Sequence, residues 1–330
     1  MKYRYYCSAC ILLMICLLFG CKPNPSTSPP SGELSIVQIY NIVKDYDYWH
    51  YAWDGSIKAF KGDEEISLQG EKRICDVQFI DGWIYYLKAY DEYRGGFDIF
   101  RIRPNGEEFS VFFNSAEFED TEHNFASFNS LAFVDGYMYI QSGLVLYQYD
   151  MLTKTVKQIG CVSTYHIIDN WLYFIDSAKT FTIYVMNLET EEIKIMFGDE
   201  IYSRDKEYPK LYYRDFIFIG DIMYYTKGVE RNADDYSIEL FRYENGESTL
   251  IDGTDSVKEY SMFEYDGNLY YIAWEDGAGK LMQYNSKDRQ IKEISTCSDY
   301  SSNPEIKNGY FYYLDSKHEV RHERIIEYRK

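Results

Sequence analysis

Past residue 33 this sequence holds three prolines and three cysteines, and it is nearly devoid of helical periodicity. Cys75, Cys161 and Cys297 lie far apart and no CxxC or other ligand spacing links them. Small buried thiols are therefore expected, with one disulfide plus a free thiol as the alternative. Positive charge is scarce as well: 34 Lys and Arg face 53 Asp and Glu, a net charge of −19. That field repels nucleic acid and anionic headgroups, so no nucleic-acid partner is expected. Basic or polar partners, cell-wall glycans and divalent cations are compatible with it, as is simple solubility of an aromatic-rich chain. There is no G-x-S-x-G elbow, phosphate-cradling glycine loop or Walker signature, and hence no expected cofactor.

What the chain does have begins at its amino terminus. Lys2 and Arg4 precede the apolar run Ile11-Leu12-Leu13-Met14-Ile15-Cys16-Leu17-Leu18-Phe19, the n-region and h-region of an export signal. The run is well short of the roughly 20 residues of a bilayer span. Leu18-Phe19-Gly20-Cys21 resembles the lipobox of bacterial lipoproteins, in which the cysteine is acylated and the signal is cleaved just before it. The resemblance implies a signal peptide over residues 1–20 and a lipid, palmitate included, on Cys21. It places the protein outside the cytoplasmic membrane, or on the outer membrane of a host that has one. Cleavage there leaves 32 Lys and Arg against 53 Asp and Glu, a net charge of −21. Four of the seven prolines lie within residues 22–32, a composition that makes an extended spacer rather than a core. Residues 21–33 thus read as a tether, and residues 34–330 as the folded domain.

Within that domain a turn dyad leading into an aromatic run recurs six times: Asp81-Gly82-Trp83, Asp135-Gly136-Tyr137, Asp169-Asn170-Trp171, Gly220-Asp221-Ile222, Asp266-Gly267-Asn268 and Asn308-Gly309-Tyr310 mark the starts. A weaker copy lies at Tyr46 to Tyr51. Dyads of this kind read as hairpin turns feeding buried strands. The intervals of 54, 34, 51, 46 and 42 residues match four short strands per repeat. The fold class is therefore all-β, a β-propeller of about seven four-stranded blades. The seventh repeat ends after its expected third strand, Ile325 to Tyr328, so Leu34 to Ile42 is expected to supply a strand that closes the ring and hides its edges. The pattern of dyad, Ile-Tyr-Tyr, loop, Leu-Phe-Arg-Tyr and Asn-Gly resembles a group of bacterial propellers related to the low-density lipoprotein receptor propeller. The Tyr-Trp-Thr-Asp signature of that receptor is missing here. The resemblance implies a fold and no reaction.

Strand parity sends the tight dyads to one face of the disc and the loops after strands two and four to the other. Lys88 to Phe97, Asn114 to Phe125, Asp199 to Lys210, Lys227 to Tyr236, Glu275 to Lys280 and Ser298 to Asn303 are expected there. Glu117, Glu119, Asp120, Glu122, Asp234 and Asp235 make that face acidic, with Tyr90, Tyr93, Tyr202 and Tyr208 among them. The candidate binding set is Glu119, Asp120, Glu122, Asp234, Asp235 and Tyr93. One catalytic pattern also matches: His318-Glu319-Val320-Arg321-His322 fits the H-E-x-x-H of zinc peptidases, where a helix puts both histidines on one face and the glutamate acts as base. Its position between two expected strands argues for a loop and against zinc. The sequence thus points to a membrane-anchored surface module that binds an envelope protein or glycan through the long-loop face. The alternative is an extracellular hydrolase or lyase acting on glycan or peptide, with its carboxylates brought together only in space.

Overall fold

The computed structural model describes residues 33–90, 96–118, 130–176, 182–198, 210–232, 235–254, 256–258, 260–275, 278–297 and 300–325. The chain separates into two units, 1–32 and 33–330; the first, with Cys21 and the tether, lies outside the described residues. The second is nearly all antiparallel sheet, with its strands grouped in chain order. The first group is β1 (Tyr48–Tyr51), β2 (Ser56–Lys61) and β3 (Glu64–Gln69). Next come β4 (Ile74–Ile80), β5 (Trp83–Ala89), β6 (Phe97–Ile102) and β7 (Ser110–Asn114). The third holds β8 (Ser130–Val134), β9 (Tyr137–Ser142), β10 (Val145–Asp150) and the first half of β11 (Val156–Ile168).

The second half of β11 opens the fourth group, which continues through β12 (Trp171–Asp176), β13 (Thr182–Asn187) and β14 (Ile193–Gly198). This shared strand explains the short 34-residue interval, because no loop separates the two groups. The fifth comprises β15 (Lys210–Ile219), β16 (Ile222–Asn232), β17 (Asp235–Glu244) and β18 (Glu247–Leu250). The sixth group is β19 (Phe263–Tyr265), β20 (Asn268–Glu275), β21 (Ala278–Tyr284) and β22 (Ile291–Cys297). The last described is β23 (Tyr300–Lys307), β24 (Tyr310–Asp315) and β25 (Val320–Arg324).

The dyads are two-residue hairpin turns as expected. Asp81 and Gly82 have φ of 51° and 77°, Asp266 and Gly267 of 49° and 71°, the doubly positive backbone whose twist matches a right-handed strand pair. At Asp169-Asn170 and Gly220-Asp221 only the first residue is positive, at 51° and 60°. Glu264, which breaks the apolar pattern ahead of its dyad, accepts the Gly267 N–H at 2.8 Å and so caps the turn.

Seven hydrophobic clusters join the strand groups into a ring among the described residues. Ile57 and Ile84 belong to one cluster at the first seam, Ile99 and Tyr147 to the next, Tyr139 and Leu172 to the third, and Ile183 and Phe216 to the fourth. Leu240 meets Leu269, Leu281 meets Phe311, and Phe60 with Tyr48 meets Tyr312 where the last group returns to the first. At that closing seam the Tyr48 and Tyr312 rings stack 4.5 Å apart with 10° between planes. Asn308 Nδ2 donates to Asp47 at 2.6 Å and Tyr310 Oη donates to Asp63 at 2.9 Å.

Three expectations are corrected by the structure. Leu34 to Ile42 does not supply a closing strand: Ile36–Val43 forms a helix, α1. Ser35 accepts the Gln38 N–H at 3.4 Å while Gln38 Oε1 accepts the Ser35 N–H at 2.9 Å, a capping box. Ile36, Ile39 and Val43 then fall on one helix face and bury it against the seam between the first two groups. Only Leu34 bonds like a strand, in a single parallel bridge to Gly70. Among the described residues, ring closure is therefore side-chain packing and side-chain hydrogen bonding between two separate sheets. The last group's third strand is Val320–Arg324, with residues 326–330 outside the description. Half of the expected long loops are largely strand: β16 and β17 run on through most of Lys227 to Tyr236, β20 ends at Glu275 and β21 begins at Ala278, and β23 begins at Tyr300. The thiols are divided, Cys297 buried and Cys161 exposed, both free.

Candidate functional site at the mouth of the channel

Apart from β11, which joins the third and fourth groups in one seven-stranded sheet, the first strand of each group is a sheet edge, and several first strands touch: β1 with β4, β11 with β15, β15 with β19 and β19 with β23. These edges line the ring axis. In four of the first strands the pairing with the second strand breaks register, at Ile74/Asp76, Val162/Thr164, Tyr213/Asp215 and Tyr300/Ser302. A bulge leaves backbone groups without ladder partners, and at Asp76 and Asp215 the side chain satisfies one of them. Asp215 Oδ1 accepts the Phe216 N–H at 2.9 Å; Ser261 Oγ accepts the Ile272 N–H at 3.1 Å and donates to the Lys258 carbonyl at 2.7 Å. Asp76 accepts the Val77 N–H and the Gln78 amide, the latter at 2.8 Å. Gln78 also donates to the Leu131 carbonyl at 3.2 Å, tying β4 to β8.

The signal was in the sequence: five residues before each dyad stand Asp76, Ser130, Thr164, Asp215, Ser261 and Asn303, every one polar. Because each first strand starts at the long-loop face, these positions ring that end of the channel. Burial pushes the Asp215 carboxyl up to about 7, with the Phe216 hydrogen bond opposing. Burial also raises Asp76, and it lowers His50 and His166, so both imidazoles favour the neutral form.

One sector opens into a cavity of about 420 Å³ lined by Ser130, Ala132, Val134, Gln141, Ser163, Thr164, Tyr165, His166 and Ile167. Ser130 Oγ lies 3.2 Å from Tyr165 Oη and donates to Gln141 Oε1 at 3.2 Å; Gln141 Nε2 donates to the Val162 carbonyl at 3.0 Å. Ser163 donates to the Ile175 carbonyl at 3.4 Å. His166 is hydrogen-bonded to the Phe216 carbonyl, its ring 5.0 Å from that of Phe216. Among the described residues neither serine of the lining is bonded to a base. A second cleft, about 540 Å³, opens on the tight-turn face around Arg242, Glu247, Asp252 and Arg289. There Arg242 is committed to Glu244 at 2.7 Å and the Ser286 carbonyl at 3.1 Å.

Of the acidic candidates, Glu119, Asp120, Glu122, Asp234 and also Tyr93 lie outside the described residues; Asp235 opens β17 opposite Asn232. Tyr90 Oη lies 2.8 Å from both Asp98 Oδ1 and Asn114 Oδ1. The H-E-x-x-H segment forms neither a helix nor an open loop. His318 is exposed in a hairpin turn with φ of 59°, whereas His322 is in β25 opposite Tyr312, its ring 4.7 Å from Phe60. Asp315 organises this hairpin by accepting the Lys317 and Glu319 N–H groups at 2.9 Å and Arg321 Nε at 2.7 Å. Strand spacing separates His318 from His322 where a helix would align them. Among the described residues no three His, Cys, Asp or Glu side chains are grouped to hold a metal.

No protein-family model matches the chain, and no curated protein matches it in sequence. In three dimensions it is similar to the tricorn protease, with a TM-score of 0.53 and 12% identity over 83% of this chain and 32% of that one. It is also similar to a prolyl endopeptidase, with TM-score 0.52, 13% identity, and 76% and 41% coverage. A third is the extracellular domain of the one-component system BT4673 from B. thetaiotaomicron, with TM-score 0.51, 12% identity, and 84% and 38% coverage. At such identities the likeness shows the fold alone, and the class it defines is the β-propeller. This chain spans about a third to two fifths of the proteins it resembles.

Proposed function

We propose that this chain is a membrane-anchored surface lipoprotein whose propeller is a non-catalytic binding module, with recognition at the long-loop face. Cys21 carries the acyl anchor, the proline-rich tether spaces the domain from the bilayer, and the partner is an envelope protein or glycan. The resemblance to propellers related to the low-density lipoprotein receptor is part of the same reading. The observation that carries it is the polar cavity between β8 and the second half of β11, whose Ser130 end faces the long-loop side and where Ser130, Gln141, Tyr165 and His166 offer polar groups with none paired as nucleophile and base.

Two measurements test it. Mass spectrometry of the exported protein is expected to find the amino terminus at residue 21 with acyl groups on it, and Cys21→Ala to leave an unprocessed precursor; any other terminus overturns the anchor. Capture from native envelope is expected to weaken as salt rises, since the face is acidic. Glu119, Asp120 and Glu122 changed together to Ser reduce it, while Glu107 and Glu247 changed to Ser on the tight-turn face do not. Equal losses from both faces overturn the assignment of the recognition face.

A further inference from the structure

We propose that the cavity between β8 and the second half of β11 takes a neutral, hydroxyl-rich ligand, one or two rings of an uncharged saccharide. The inference rests on the reading that the long-loop face is the recognition face, and it adds the chemistry of the ligand.

Charged residues make up 26% of this chain, yet among the described residues none of the nine that line the cavity is charged. Burying an ionic ligand there would strip its water without offering a counter-charge, a cost that neutral polar ligands avoid. The carboxylates of the neighbouring first strands, Asp76 and Asp215, are engaged by the N–H groups of Val77 and Phe216. The net charge of −19 further disfavours an anionic sugar.

What the wall offers is a mixture of donors and acceptors. Thr164 makes no side-chain hydrogen bond among the described residues, His166 uses one ring nitrogen on the Phe216 carbonyl and keeps the other, and Ser163 holds its carbonyl only at 3.4 Å. Ser130, Gln141 and Tyr165 form a braced edge that can both give and accept bonds. Ala132, Val134 and Ile167 form the opposite, apolar part of the lining. A sugar ring has the same division, hydroxyls around its edge and C–H groups on its faces. The volume of about 420 Å³ lies in the range of small-ligand pockets.

Isothermal titration of the full chain tests this with N,N′-diacetylchitobiose, cellobiose and maltose, set beside digalacturonate, the glucosamine disaccharide and an uncharged Gly-Ser peptide. At least one neutral disaccharide is expected to bind at one per chain. Thr164→Val and Tyr165→Phe, which keep side-chain shape, are each expected to weaken it by about tenfold without moving the unfolding transition. Should either variant unfold early, Ser163→Ala takes its place.

Three results overturn the proposal: no neutral saccharide binds, the peptide or a charged sugar binds more tightly, or the variants bind as the parent does. If envelope capture through the long-loop face persists while no saccharide binds, the ligand class is wrong and the recognition face stands. If a saccharide binds but capture falls equally for both faces, the reverse holds.

Discussion

At the scale of single residues the bulge positions are the most consequential. Asp215 is 9% exposed and has one backbone donor, so its folded-state preference is for the protonated acid. Its pKa is near 7 in the folded protein against 3.8 for an ordinary aspartate, so folding takes up a proton between those values. The stability it allows is complete below about pH 4 and is lost as pH rises through about 7. Asp215→Asn keeps an acceptor for Phe216 and removes the charge. Urea unfolding is expected to show a gain of roughly 2–4 kcal/mol at pH 8 and almost none at pH 4. An equal effect at both pH values would mean that the carboxylate finds a counter-charge in the channel. The turn glycines act more simply: at Gly136, φ is 85° with open space around a would-be Cβ. Gly136→Ala should cost about 1 kcal/mol from backbone strain alone.

Among elements, α1 shows how local chemistry overrides a global pattern. An added strand would have paired another sheet edge, but the Ser35–Gln38 capping box and the apolar spacing of Ile36, Ile39 and Val43 favour a helix that plugs a seam. Ile39 is fully buried, and a Cβ at Gly70 would collide with Ile39 and Tyr51. Ile39→Ala is expected to cost about 2–4 kcal/mol and Ser35→Ala about 1 kcal/mol, read from denaturant midpoints. A silent Ser35→Ala would show that the cap adds little to this helix. The last hairpin makes the opposite point. Residues 318–322 satisfy a metallopeptidase pattern letter by letter, but Asp315 gathers the Lys317 and Glu319 N–H groups into a turn and β24 pairs with β25 on its far side. Glu319→Ala should leave metal content unchanged by elemental analysis, since the residues never share a helical face.

For the whole molecule, closure without a shared sheet predicts that the last seam resembles the others. Tyr312→Ala, at a fully buried ring stacked on Tyr48, is expected to cost about 3–5 kcal/mol, close to Tyr139→Ala at an interior seam. Hydrogen exchange should rise first in β1 and β24 in the former variant. Were backbone pairing carrying closure instead, Tyr312→Ala would be the milder of the two. Protection in β1 and β24 would then be unaffected.

Sequence alone determined the repeat, the turn type and the buried aromatic strands, because a two-residue hairpin and a pleated core strand are local objects whose requirements fit within ten residues. Glu264 reads as an exception in the chain and as a turn cap in the structure, yet the turn it caps was already legible. The helix at Ile36–Val43 was also legible, in Ser35, Gln38 and the spacing of three apolar residues, but strand patterns on every side obscured it. Polar residues five positions before each dyad were visible as letters and meaningless as chemistry. Only the ring brings Ser130, Thr164 and His166 to one cavity from two strands more than thirty residues apart, and only the ring decides that Tyr48 meets Tyr312. Those relations depend on how many sheets pack side by side before the first meets the last, which is a sum of many seam geometries and is written in no single stretch of the chain.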